Sequence, residues 1–261
     1  MRWSSPLIVP LALALACGDG GSSDTVAGAL DTSRSPSAAP QILDAGASTR
    51  EVPCVDEQIA QLPLFDEPAV GKVTSEGEAG VFQSAIDATG GGLATSQGFV
   101  YARFTENGLE KVDIDDEAAF ASTAWHVAFR RYVIRINSGV AGPSEVVAAR
   151  TRPGTEFDAL TAPPENLTYR AEQYYTDSCE YVPDTSGIGA PATVLSSFWA
   201  YSACLSMTRN VFVLTLPGGR HVKLQVIAYY SLENQQRCDE QGATGSPSGA
   251  GNLRVRWAFL D

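Results

Sequence analysis

The chain has 261 residues and is acidic, with 18 Lys and Arg against 30 Asp and Glu and a formal net charge of -12. This balance argues against nucleic-acid binding and against adsorption to an anionic membrane surface, because both select for basic proteins. The length suffices for one sizeable hydrophobic core and does not require two domains.

The first sixteen residues have the features of an export signal. A single cation, Arg2, precedes an apolar run over residues 6–16 that is too short to span a bilayer. Cys17 follows, and a Gly- and Ser-rich segment comes next. This arrangement resembles a bacterial lipobox, in which the cysteine becomes an N-terminus carrying acyl chains such as palmitate. We therefore predict a lipoprotein signal peptide over residues 1–16 and lipidation of Cys17; ordinary cleavage that leaves a free Cys17 is the alternative.

Residues 17–50 are predicted to be the lipidated cysteine and a disordered tether. The segment is rich in Gly, Ser, Ala, Asp, Thr and Pro and has no aromatic residue, so it cannot bury enough apolar area to offset its ordering entropy. Such a tether lets a folded domain stand off the membrane. Residues 51–261 are predicted to form one domain. Loss of the signal peptide removes Arg2 and no acidic residue, so the formal charge goes from -12 to -13.

Runs of β-branched and aromatic residues, separated by Gly, Pro, Asn and Asp, recur through the predicted domain and are typical of strands. Residues 98–104 and 109–112 flank an Asn-Gly turn and predict a hairpin. Residues 210–216 and 220–230 flank Pro-Gly-Gly and predict a second one. Residues 252–260 alternate apolar and polar side chains, which predicts a strand that closes a sheet.

Residues 125–136 are predicted to form a further strand. Alternation along it places Trp125, Val127 and Phe129 on one face. The opposite face then carries His126, Ala128 and Arg130. Helical signals are few, with short helices predicted at residues 81–88 and in parts of 115–122. The sequence therefore predicts a mostly β fold.

Besides Cys17 the chain has four cysteines, which are Cys54, Cys179, Cys204 and Cys238. An even number in an exported chain predicts two disulfides. Three pairings are possible, and we favour Cys179–Cys204 together with Cys54–Cys238. A zinc site is not expected, because there is no C-x-x-C pair and both histidines are distant from the cysteines in sequence.

No motif for catalysis or phosphate binding is found in the sequence: nucleophile elbows, P-loops, dinucleotide fingerprints and zinc-protease helices are absent. The run Gly90-Gly91-Gly92 has no lysine partner and predicts a flexible turn. The acidic residues 113–117 lack the glycine and terminal glutamate of a calcium loop, which favours a solvated turn. An enzyme is therefore not expected.

The segment 125–139, WHVAFRRYVIRINSG, is similar to the pattern W-x-(I/V)-A-F-x-R-Y-x-(I/V)-R-x-N-(G/S)-G of the HmuY family. Further pieces follow in the order expected for that family, at residues 157–160, 163–164, 198–201, 211–230 and 253–259. From residue 125 to the end, most of the chain thus resembles the HmuY haem-binding lipoproteins.

The resemblance implies a single compact, mostly antiparallel β domain with few short helices. It also implies a lipoprotein of the bacterial outer membrane, surface-exposed or facing the periplasm, that captures haem or a related tetrapyrrole. Haem or a haem-carrying host protein would be the source, and a TonB-dependent outer-membrane transporter the recipient. No nucleic acid is expected as a partner.

Haem-binding members of the family supply paired histidines or methionines to the iron, and one of these positions aligns with Arg130. Arginine stays protonated and cannot ligate iron, although it can pair with a propionate carboxylate. The donors left in the mature chain are His126, Met207 and His221, with His126 the first choice for an iron ligand and Met207 or His221 the second. Each of these residues can also be explained without a ligand: His126 as a half-exposed strand histidine, Met207 as a core methionine and His221 as a histidine beside a turn. The alternative function is therefore a lipid-anchored interaction protein that keeps the fold and has lost haem.

Overall fold

The computed structural model describes residues 50–89 and 97–261. The predicted signal peptide, Cys17, the tether up to residue 49 and Gly90-Gly91-Gly92 lie outside the described residues. Within them the helices are α1 (Val55–Gln61) and α2 (Leu232–Gln241), with 3-10 turns at Ala118–Ala121 and Ser196–Phe198. The strands in the same residues are β1 (Val73–Glu78), β2 (Val81–Asp87), β3 (Val100–Thr105), β4 (Gly108–Val112), β5 (Val127–Arg130), β6 (Val133–Ile136), β7 (Val147–Arg150), β8 (Trp199–Tyr201), β9 (Leu205–Met207), β10 (Val211–Thr215), β11 (His221–Ala228) and β12 (Asn252–Leu260).

The strands form two larger sheets and one small pair. The six-stranded sheet has the order β1-β2-β12-β11-β10-β7, the four-stranded sheet has the order β4-β3-β5-β6, and β8 pairs with β9. All of these pairings are antiparallel. The predicted class, mostly β and antiparallel with few helices, is confirmed.

The main hydrophobic core contains residues of both larger sheets. Trp257 of β12 is fully buried in it, and its ring stacks on Phe82 of β2 at a centroid distance of 4.5 Å. The indole N–H of Trp257 donates to Ser84 Oγ at 2.9 Å, so the polar end of this large side chain is satisfied inside the core. The Phe104 ring of β3 also meets Trp257 edge-on, at a centroid distance of 4.9 Å. The four-stranded sheet is thereby fixed against the six-stranded one.

Both predicted hairpins are confirmed as β3–β4 and β10–β11. Residues 252–260 form a strand as predicted, β12, but it lies inside the six-stranded sheet, between β2 and β11, and does not close it. Residues 125–136 do not form the single predicted strand. They form the hairpin β5–β6, whose two-residue turn contains Arg131 and Tyr132. Arg131 has φ 50, a left-handed backbone conformation that side chains other than glycine rarely adopt.

The helix predicted at residues 81–88 is wrong, because this segment is strand β2. It pairs with β1 on one side and β12 on the other, and these long-range pairings outweigh a helical pattern of apolar residues. The helix predicted within 115–122 is present as the 3-10 turn Ala118–Ala121. No described helix is long and apolar enough to cross a membrane.

All four predicted cysteines are in disulfides, but the favoured pairing is wrong. The bonds are Cys54–Cys179 and Cys204–Cys238, with Cα–Cα distances of 5.4 and 6.0 Å. The reason for the second bond is helix α2, which carries Cys238 and packs beside β9, where its Gln235 Nε2 donates to Leu205 O at 3.0 Å. This contact brings Cys238, and not Cys179, to Cys204.

Candidate functional site

The four-stranded sheet is buried on both faces. One face contributes to the main core, and the other carries Phe99, Tyr101, Ala128, Arg130 and Arg135. The cross-strand register explains this second group, because Ala128 of β5 lies opposite Tyr101 of β3 on one side and opposite Arg135 of β6 on the other. Phe99 lies two residues before Tyr101, and Arg130 lies two residues after Ala128. Side chains two residues apart on a strand point to the same face.

A cavity of about 330 Å³ opens on this second face, at the lower end of the volumes of small-molecule pockets. Three guanidinium side chains line it, those of Arg130, Arg131 and Arg135. The ring of Phe99 lines it as well, together with the rings of Tyr132, Tyr174 and Tyr181. We call this site the arginine cavity. Among the described residues that line it there is no Asp or Glu, so it is cationic in a chain whose net charge is -12.

Arg135 lies at the back of the arginine cavity and is 1 % exposed. Its Nη1 donates to Tyr174 Oη at 3.4 Å, its Nη2 donates to Tyr101 Oη, and its guanidinium carbon lies 4.0 Å from the centroid of the Phe99 ring. Its Nε–H is buried and has no acceptor among the described residues. Burial opposes the charged form, but Tyr101, Tyr174 and Asp116 outweigh burial and raise the pKa of Arg135. Arg135 is therefore a fixed, buried cation, and one of its donors, the Nε–H, makes no hydrogen bond within the described residues.

Asp116 stands behind the cavity and is fully buried. Its Oδ1 accepts hydrogen bonds from the Phe99 N–H at 2.8 Å and from Tyr101 Oη at 2.9 Å. Its Oδ2 accepts from the Phe65 N–H at 3.2 Å and lies 4.0 Å from Arg130 Nη1. Burial raises the pKa of Tyr101, so this phenol stays neutral and links the carboxylate of Asp116 to Arg135. One carboxylate thus compensates part of the positive charge from the side away from the cavity.

Arg130 and Arg131 lie where β5 turns into β6. Arg130 Nη1 donates to Pro63 O at 2.8 Å, and its guanidinium carbon lies 4.3 Å from the centroid of the Phe99 ring. Burial lowers the pKa of Arg130, yet an arginine stays a cation at any physiological pH. Arg131 N–H donates to Ala88 O at 2.9 Å, which anchors the turn. Two cations are therefore held on backbone whose position the sheet fixes.

Glu172 supports the edge of the same sheet. It is fully buried, and its Oε1 accepts from the Ile136 N–H of edge strand β6 at 2.9 Å, while its Oε2 accepts from the Val194 N–H at 3.0 Å. Burial raises the pKa of Glu172 to about 7, against the lowering effect of these two hydrogen bonds and of Arg135 and Arg170. The carboxyl group therefore changes its charge in the neutral pH range.

Of the residues predicted to bind a ligand, Arg130 lines the arginine cavity, whereas His126, Met207 and His221 are not among its described lining residues. His126 lies on the main-core side, where its Nδ1 accepts from the Phe104 N–H at 3.1 Å and its ring stacks on Phe104 at 6.2 Å. Strand β5 begins only at Val127, so the alternation that predicted a common face for His126 and Arg130 does not extend back to His126.

The other two predicted donors also belong to other parts of the fold. Met207 is buried in the main core, on β9 opposite Trp199 of β8. His221 begins β11, where its Nδ1 lies 3.1 Å from Thr215 Oγ1. The described residues hold no group of three or more His, Cys, Asp or Glu that could bind a metal ion. The residues around the arginine cavity thus suit carboxylate groups and flat rings, and they do not suit iron ligation by histidine or methionine.

Phe99 and Arg135 were missed by the sequence analysis. The available signal was the spacing of Arg130 and Arg135, which share a face only if the strand folds back between them. Without a glycine or asparagine at the turn, the sequence gives no reason to place a hairpin there.

A second, larger cleft of about 730 Å³ shares Thr193 with the arginine cavity. It contains exposed arginines and many hydroxyl side chains, but no aromatic residue is among its described lining residues. It therefore lacks the ring faces that a flat ligand would stack on.

The family model described as HmuY protein matches residues 95–241, which is more than half of the chain. No curated protein matches the sequence. Among solved structures, a protein of Bacteroides vulgatus described as HmuY-like and haem-binding is 15% identical, with a TM-score of 0.46 over 73% of this chain and 97% of its own. The apo form of a HmuY analogue from Tannerella forsythia is 16% identical, with a TM-score of 0.40 over 75% of this chain and 100% of its own.

Proposed function

The chain belongs to the HmuY family, and on that premise we propose that it is a lipoprotein of the bacterial outer membrane that binds haem or a related tetrapyrrole in the arginine cavity. It would capture this ligand, free or from a haem-carrying host protein, and deliver it to a TonB-dependent transporter. Its role is binding and not catalysis. Cys17 would carry the lipid anchor.

The observation that carries this proposal is the combination of three guanidinium groups with aromatic side chains around one cavity. A haem is a flat ring with two propionate carboxylates, and arginine pairs with carboxylates through two parallel hydrogen bonds. Phe99 is 3 % exposed and packs against two of these cations. The half-buried rings of Tyr132 and Tyr181 offer the aromatic surface. A whole tetrapyrrole exceeds the cavity volume, so we expect its carboxylate edge to enter and the opposite edge to stay outside.

Titration of the mature protein with ferric and ferrous haem, followed by the Soret band and by tryptophan fluorescence, tests the proposal. We expect saturable binding of one haem at micromolar protein. Arg130→Gln should weaken it by about tenfold or more, because a hydrogen bond to a charged group contributes about 1.5–3 kcal/mol. Arg103→Gln is the matched control, since Arg103 is an exposed arginine of β3 that pairs with Glu110 at 3.1 Å and does not line the cavity.

If neither form of haem produces a spectral or fluorescence change at micromolar protein, the proposal is wrong. The chain would then be better explained as a lipid-anchored interaction protein that keeps the fold without haem. Equal loss of affinity in Arg130→Gln and Arg103→Gln would place the ligand outside the arginine cavity.

A further inference from the structure

We propose that the arginine cavity recognises a tetrapyrrole by its carboxylates and its ring face, with no protein side chain bound to the metal. It should therefore bind a metal-free porphyrin about as tightly as haem. This inference rests on the proposed function and specifies what the site recognises.

The first reason is the set of donors near the cavity. Its described lining residues include no His, Met or Cys. Residues 90–96, which lie outside the described residues between Thr89 and Gln97 of the lining, contain none in their sequence, GGGLATS. His126, Met207 and His221 are engaged elsewhere, with Phe104, in the main core and with Thr215, respectively.

Tyrosine is the donor type that the lining does contain, and it ligates haem iron as a phenolate. Tyr174 is fully buried, and burial raises the pKa of its phenol, which hydrogen bonds with Arg135 and Gln58. Burial raises the pKa of Tyr181 to about 12, and its hydroxyl donates to Gly189 O at 2.9 Å. Both therefore stay neutral phenols. The third tyrosine, Tyr132 in the β5–β6 turn, packs against the Trp199 ring at a centroid distance of 6.0 Å. A Tyr132→Phe variant therefore tests whether this phenol binds the metal.

The second reason is the positive charge at the cavity. Among the described residues Arg130 has one ion-pair partner, Asp116, at 4.0 Å, and Asp116 already accepts three hydrogen bonds. Asp116 also accepts a hydrogen bond from the Tyr101 hydroxyl, which in turn accepts one from Arg135. Two buried acids, Asp116 and Glu172, thus act on three cations, which leaves the cavity with a net positive charge. A ligand that brings two carboxylates restores the balance of charge.

The experiment compares four ligands on the same mature protein: ferric haem, metal-free protoporphyrin IX, zinc protoporphyrin IX and protoporphyrin IX dimethyl ester. Affinities are measured by quenching of tryptophan fluorescence, which does not depend on iron. We expect dissociation constants within about threefold of one another for the three free acids. The ester, which has lost both charges, should bind at least about tenfold more weakly.

Variants separate the contributions. Arg130→Gln should weaken haem and metal-free porphyrin by the same factor, and Arg103→Gln should weaken neither. The ester comparison uses the unaltered protein, so it is decisive even if Arg130→Gln is poorly folded. Tyr132→Phe should leave the haem spectrum and affinity unchanged.

Haem that binds tens of times more tightly than metal-free porphyrin, with a six-coordinate spectrum or a tyrosinate band that is lost in Tyr132→Phe, would overturn this inference and leave the proposed function intact. An ester that binds as tightly as the free acid would also overturn it. If none of the four ligands binds, the proposed function itself fails.

Discussion

Replacement of Glu172 by glutamine should remove a pH dependence of stability that this one buried carboxyl group creates. Burial raises the pKa of Glu172 from the ordinary 4.5 to about 7. Between these values the folded protein keeps the proton while the unfolded chain releases it, so the free energy of unfolding falls as pH rises through this window. One pKa unit corresponds to about 1.4 kcal/mol, so the total loss from Glu172 is about 3 kcal/mol and is complete above pH 7.

The assay is urea unfolding of the wild type and Glu172→Gln at intervals from pH 4.5 to 8. The glutamine amide oxygen can replace one of the two carboxylate acceptors, but its NH2 group then faces the other backbone N–H. We therefore expect a loss of about 1–3 kcal/mol in the variant at acidic pH. This difference should shrink or reverse by pH 8, because the free energy of unfolding falls with rising pH in the wild type but not, at this site, in the glutamine variant. Glu156→Gln, at an exposed site, removes the same charge and is the control. Parallel pH profiles for the wild type and Glu172→Gln would refute the reasoning.

Three further predictions concern the disulfides, the anchor and the strained turn. The paired cysteines are 125 and 34 positions apart. The chain-entropy model therefore predicts that replacing Cys54–Cys179 by serines costs about 5 kcal/mol of stability and replacing Cys204–Cys238 about 4 kcal/mol, which urea unfolding measures. A peptide map with Cys179 joined to Cys204 would contradict the pairing. Cys17→Ser should move the protein from the membrane fraction to the soluble one without a change in Tm, and its retention on membranes would show that the lipobox prediction is wrong. Arg131→Gly should lower Tm by only a few degrees, because relief of the left-handed conformation at φ 50 offsets both the entropy of glycine and the lost interaction with Tyr229. It should weaken haem binding by about tenfold. A large drop in Tm would show that Arg131 is mainly structural.

The parts of the fold that the sequence predicts correctly are those fixed by local turn chemistry. The β3–β4 turn has Gly108 at φ 135, where glycine is the residue that fits, and Pro-Gly-Gly marks the β10–β11 turn. The β5–β6 turn has no such residue, yet Arg131 adopts a positive φ there. This unmarked turn hid the hairpin that brings Arg130 and Arg135 to one face.

The wrong helix at residues 81–88 and the wrong disulfide pairing have another cause. In both cases long-range contacts select one of several structures that the local sequence allows equally. Val81, Phe82, Ala85 and Ile86 are spaced as on one side of a helix, but pairing with β1 and β12 makes the segment a strand. The same holds for the disulfides, since sequence separation does not reveal that α2 packs beside β9. The arginine cavity depends on both effects, so its composition could not be predicted beyond Arg130.

Stability alone gives no reason for the chemistry of this cavity. A buried guanidinium group is expensive to desolvate, and apolar residues of similar volume are often at least as stable in its place. Arg135 adds a buried Nε–H without an acceptor among the described residues, and Arg131 adds a left-handed backbone conformation that costs about 1–2 kcal/mol. Each feature opposes folding, and all of them meet at one cavity of about 330 Å³. Features that reduce stability tend to collect where a protein binds or reacts, so this coincidence favours an anionic ligand at Arg130 over the simple loss of an iron ligand there.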